Sequence, residues 1–127
     1  MDISKKMHTE QSDKKLFEQA KNYAFDYSNS IAERHVFPSD EAICDLIQFN
    51  EDMPSQNGDS SDILEQLHRC GSPATTAHTG GRYFGFVTGG VLPITLATKW
   101  LTDFWDQNTA LQVMSPLTSK LQEICER

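Results

Sequence analysis

The residues best placed for chemistry lie between positions 72 and 116. Gly89-Gly90 stands just before a helix signalled by Pro93. Paired glycines allow backbone geometries closed to other residues, and N–H groups at a helix start can hold a carboxylate or phosphate. No GxGxxG or P-loop accompanies them, so a tight turn into a packed helix accounts for them equally well. Phe84, Phe86 and Val87 would make any approach to that backbone apolar, as the wall of a small-molecule pocket is. His78 is the histidine nearest this loop, and a hydrogen-bonded loop residue is a simpler reading of it than a general base. His8, His35 and His68 are distant in sequence, and none forms a ligand-spaced pair with a cysteine or carboxylate, which argues against a metal site. Ser115 before Pro116 reads as a helix cap, because no histidine or acid is placed to activate it as a nucleophile. In Trp105-Asp106-Gln107-Asn108 the polar side chains suit a helix exit, while Asn108 and Thr109 could line a pocket at an interface. Lys99 and Lys120 fall on predicted helices, on faces expected to be solvated.

Charge and cysteines narrow the classes. The net charge of −7 is concentrated in 38–70, which holds eight acids and one base, Arg69. Such a segment reads as a solvated acidic face, and it repels a phosphate backbone, so no nucleic-acid partner is expected. Cys44, Cys70 and Cys125 are odd in number and form no CxxC. The first fifteen residues lack an apolar h-region and no stretch approaches a membrane span, so no membrane partner is expected. A reducing, cytoplasmic setting with free thiols is the expectation.

Several elements must position those residues. The chain, 127 residues long, is one domain's worth, able to bury about two-thirds of its extended surface if compact. Its apolar residues are nevertheless uneven, dense in 83–117 and almost missing from 50–62, which makes a self-sufficient core doubtful. Residues 1–12 read as a flexible polar arm. From 13 to 34, Leu16, Ala20, Tyr23, Ala24, Tyr27 and Ile31 fall at helical spacing, with Ser12 as candidate N-cap. The aromatic stripe of this helix suits either an oligomerisation arm or packing within one chain. His35-Val36-Phe37-Pro38 is extended, and Ser39 caps a short helix with Asp40 and Glu41 in its first turn. Residues 50–59 are the clearest linker. The next helix starts at Ser60, Ser61 or Asp62, with Asp62 and Glu65 resembling a capping box. Ile63, Leu64, Leu67 and Cys70 face inward, and Gly71 is its C′ residue. Residues 72–81 are loop, and 83–87 are a short buried strand or an extended loop. The strongest helix is predicted over 92–106 with Pro93 in its first turn, carrying Ala97, Trp100, Leu101, Phe104 and Trp105 at helical spacing. Residues 108–114 are extended, and Ser115-Pro116 opens a last helix with Leu117, Leu121 and Ile124 on one side.

Taken in order, Ser72-Pro73-Ala74-Thr75, Gly80-Gly81-Arg82-Tyr83-Phe84-Gly85-Phe86-Val87-Thr88-Gly89-Gly90, Leu92-Pro93, Trp105-Asp106-Gln107-Asn108 and Val113-Met114-Ser115-Pro116 resemble the N-terminal part of the pyridoxal-phosphate-dependent group II amino-acid decarboxylases. The likeness follows nearly the whole chain and is sharp from Ser72 onward. It implies a mainly α segment, the N-terminal helical part of an aspartate-aminotransferase-type (fold type I) α/β enzyme truncated before the large domain. On that reading 1–12 is the arm and 13–127 an incomplete helical domain. The resemblance further implies a homodimer in which this segment packs across the subunit interface, its partners being the remainder of the enzyme or a second subunit, with a small amino acid as substrate. By motif position Phe86, Val87, Thr88 and Gly89 would lie nearest the substrate, and Asn108, Thr109 and Ala110 would approach the pocket, that of the neighbouring subunit included.

The chain also departs from the family. Many members carry a His-Pro-Arg or similar tripeptide before the aromatic pair, whereas His78 and Arg82 are separated by Thr79-Gly80-Gly81, so the resemblance assigns His78 no role. The family's phosphate loop, its stacked histidine, its aspartate for the pyridine nitrogen and its Schiff-base lysine all follow this segment, and no His-Lys dipeptide occurs in it. Pyridoxal phosphate belongs to the full-length family, and none is expected bound to this chain alone. A carboxy-lyase activity is therefore expected of the complete enzyme and not of the isolated chain. The alternative reading is a stand-alone helical interaction or dimerisation module derived from the same family.

Overall fold

A computed structural model describes residues 2–126. Among them are six α-helices and no strand. The chain divides into two compact units, one running to Gly90 and the other beginning at Val91.

In the first unit, α1 spans Ile3–Asp13 and α2 spans Lys15–Ser30. A helix thus stands where the sequence suggests a frayed arm. The Asp2 side chain accepts from the Ser4 N–H (3.4 Å) at its start, and Lys6 lies 3.7 Å from Glu10 one turn on. The Ser12 hydroxyl does not cap α2. It lies within α1 and donates to the His8 carbonyl at 2.8 Å. Lys14 alone separates the helices, in the left-handed conformation (φ 60°), where its N–H closes α1 on Glu10 and its carbonyl opens α2 by accepting from Glu18, both at 3.1 Å. The second helix stops at Ser30, earlier than its apolar pattern, because 31–34 form a turn whose Glu33 and Arg34 N–H groups both return to the Ser30 carbonyl. Arg82 fastens that turn by donating to the carbonyls of Ala32 (2.9 Å) and Arg34.

Ser39 caps α3 (Asp40–Asp45) as expected, accepting from the Ala42 N–H at 3.2 Å, with Asp40 and Glu41 in the first turn facing the positive end of the dipole. The helix tightens into a 3-10 turn, Leu46–Phe49. Residues 50–59 carry no regular structure. Asp59, not Asp62, then caps α4 (Ser60–Gln66), its carboxylate accepting from the N–H groups of Ser61 (2.9 Å) and Asp62 (3.2 Å). The helix does not end at Gly71. It widens into a π turn, Leu67–Gly71, and continues as a 3-10 turn, Ser72–Ala74. Gly71 keeps an ordinary φ of −80°, so it is no left-handed C′ residue. Its lack of a side chain matters for space: a Cβ there would meet Leu67 at 3.2 Å and the Phe49 ring at 3.7 Å.

Burial is scarce. Among the described residues Cys70 and Ala77 are the buried apolar ones; Leu64 is half-buried, while Ile63 (59% exposed) and Leu67 (55%) stay largely open to solvent despite the inward spacing. The Ala77 N–H donates to the Val36 carbonyl at 2.9 Å, which pins the extended 35–38 segment.

In the second unit, α5 spans Pro93–Trp105 and α6 spans Pro116–Cys125. Pro93 occupies the first turn of α5, whose missing N–H costs nothing there. Asp106 ends it in the left-handed region (φ 48°), donating to the Thr102 carbonyl at 3.1 Å. Between the helices 112–114 turn where extended chain is predicted: the N–H groups of Met114 and Ser115 both reach the Leu111 carbonyl. Ser115 caps α6 and is fully buried; its hydroxyl accepts from the Thr118 N–H at 3.4 Å, and the Thr118 hydroxyl returns a bond to the Ser115 carbonyl at 3.1 Å.

Replacing Asp59 by Ala removes both acceptors at the start of α4 and is expected to lower unfolding stability by about 1 kcal/mol in urea titrations followed by circular dichroism. Asp59→Asn should retain most of that stability. Asp62→Ala should cost less than Asp59→Ala, which is the reverse of what a capping box at Asp62 requires.

Candidate functional site

The loop that carries most of the sequence-predicted site residues has a fixed base and a bare tip. At the base, the Tyr83 ring lies 4.4 Å from His78, tilted by 47°. A Cβ on Gly85 would come within 2.9 Å of the Tyr83 hydroxyl, so a larger residue there would have to push that ring aside. Arg82 ties the same base to the end of α2. At the tip, Phe84 (93%), Phe86 (94%) and Val87 (107%) stand in solvent, which removes the buried-strand reading of 83–87. The tip is closed by Thr88 alone, whose N–H (3.2 Å) and hydroxyl (3.3 Å) both donate to the Gly85 carbonyl.

The backbone freedom of this loop is not spent where glycines supply it. No glycine among the described residues has a positive φ, whereas Phe86 (φ 51°) and Val87 (φ 54°) do. Left-handed geometry costs a non-glycine residue about 1–3 kcal/mol, and a β-branched one is a genuine outlier. Two such residues in succession, with their side chains in water, form a strained apolar tip. Gly89 and Gly90 follow, and a Cβ on either would meet nothing within 4 Å, so their backbone is open to approach.

Phe86, Val87, Thr88 and Gly89 belong to the first unit, Asn108 and Thr109 to the second. Asn108 is exposed, and its side-chain oxygen accepts from the Ala110 N–H at 2.9 Å, a local turn that fixes the amide. Lys99 and Lys120 lie on α5 and α6, with side chains 70% and 60% exposed. Each pairs with an acid about one turn on, Lys99 with Asp103 (2.8 Å) and Lys120 with Glu123 (2.7 Å). A cofactor lysine has to be desolvated and free to form a covalent bond. Lys99 and Lys120 are exposed and ion-paired, so neither is set up as a Schiff-base lysine. Among the described residues no group of three or more His, Cys, Asp or Glu side chains could hold a metal ion.

A second constellation escapes inspection of single residues. Tyr23 on α2 and His68 beyond α4 stack face to face, 4.0 Å between centroids and 2° from parallel. One turn along, the Tyr27 hydroxyl meets the Thr75 hydroxyl at 2.9 Å, and the Arg34 guanidinium lies 4.3 Å above the Tyr27 ring while donating to the Ser72 carbonyl. One turn back, Gln19 and Ser61 exchange two bonds, of 3.1 and 2.8 Å. Between these contacts lies a cleft of about 510 Å³ walled by Ala20, Tyr23, Ala24 and Tyr27 from α2 and by Leu64, Leu67, His68 and Gly71 opposite. Both sets follow the spacing i, i+3, i+4, i+7. That shared register was the available signal, and the polar character of His68 hid it.

Compared with models of known protein families, with curated proteins and with solved structures, the chain matches none. No helix among the described residues is long and apolar enough to cross a membrane.

Serine at Phe84, Phe86 and Val87 together should leave the unfolding free energy from urea titration within about 0.5 kcal/mol of wild type, since these side chains touch little. The same variant should bind less of a hydrophobic dye, the share due to the exposed side of α5 remaining. A double-mutant cycle of Tyr23→Leu and His68→Leu should return a coupling of about 0.5–1.5 kcal/mol, the range for a stacked aromatic pair. A coupling of zero would show that the stack contributes nothing beyond burial.

Proposed function

We propose that this chain is the N-terminal segment of a pyridoxal-phosphate-dependent amino-acid decarboxylase, supplying one wall of the substrate pocket and part of a homodimer interface. The ordered run of motifs from Ser72 to Pro116 carries the reading. The exposed tip at 84–87 supports it, because an apolar, strained loop with little to pack against is suited to be covered by substrate or by the rest of an enzyme. Pyridoxal phosphate, bound by other parts of the complete enzyme, supplies the electron sink that decarboxylation requires. This segment's own residues have a different task. Phe86 and Val87 exclude water from the amino-acid side chain, the open backbone at Thr88 and Gly89 lets the substrate come close, and Asn108 and Thr109 offer polar groups at the neighbouring pocket.

The test is enzymatic. The coding sequence continuing beyond this segment should specify a phosphate loop and a His-Lys pair, and its product should release carbon dioxide from one of a panel of amino acids when given pyridoxal phosphate. In that product Phe86→Ala should raise KM about tenfold or more, the equivalent of losing roughly 1.5 kcal/mol of apolar contact, with the cofactor's visible absorbance unchanged. A product inactive on the whole panel, or turnover by the purified 127-residue chain by itself, would overturn the proposal.

One observation favours a second reading, a stand-alone helical dimerisation module. Every residue of α5 is exposed, yet Ile94, Ala97, Trp100, Leu101, Phe104 and Trp105 fall on one side of it. A broad apolar stripe of this kind favours association. Under that reading the isolated chain sediments as a defined dimer that Phe104→Asp reduces to monomer with helicity retained; a polydisperse, dye-binding sample counts against it.

A further inference from the structure

We draw no further inference here: the strongest candidate, the apolar cleft of about 510 Å³ between α2 and α4 walled by Tyr23, Tyr27, Leu64, Leu67 and His68, is an unpartnered groove, and nothing in the structure shows what covers it.

Discussion

The first unit depends on how one face of α2 meets the segment that begins with α4. Gln19, Tyr23 and Tyr27 are spaced by four residues, and they engage Ser61, His68 and Thr75, spaced by seven. Both series ascend together, so the two segments run in the same direction. Helices that run alike cannot be joined by a tight turn, and the chain between them has to travel back. That requirement explains the irregular stretch 31–59, with short α3 inside it and the acidic linker at its end. The π turn at Leu67–Gly71 lies within this second segment, between the part that presents Ser61 and the part that presents Thr75 to α2. Polar and aromatic contacts, more than a filled core, hold this arrangement, as the short roll of buried residues shows.

The second unit has the opposite character. Its helices are well specified locally, with a proline opening each one, a buried serine cap on α6 and a left-handed aspartate closing α5. Their apolar sides are nonetheless in solvent. Below about 40 residues a chain seldom builds a sufficient core without disulfides, metals or association. Local order and tertiary satisfaction are therefore separate here. Helix geometry comes from the chain's own caps, and the burial that would stabilise it has to be found elsewhere.

How much of this could be read from the sequence follows the same division. Features decided within four or five residues were legible: Ser39, Pro93 and Ser115 start helices where their chemistry places them, and 50–59 is a linker. Choices between near-equivalent neighbours were not. Asp59 takes the cap from Asp62 because its carboxylate reaches two N–H groups, a difference of position that composition does not reveal. Lys14 divides what looked like one helix and a frayed arm, since a single left-handed residue leaves no mark on hydrophobic periodicity. The buried strand at 83–87 failed for a tertiary reason, as there is no second strand among the described residues for it to pair with. At the candidate loop the residue types are plain in the sequence, whereas the backbone roles, with Phe86 and Val87 rather than the glycines left-handed, leave no mark on composition or spacing.

The three thiols occupy contrasting surroundings. Cys44 and Cys125 are open to solvent, while Cys70 is shielded within the π turn. A thiol reacts as thiolate and only where a reagent can reach it. Two of the three are thus available in the native state, and modification of the third must await a local opening of the segment facing α2. Slow labelling of Cys70 would then report how often that part of the chain opens.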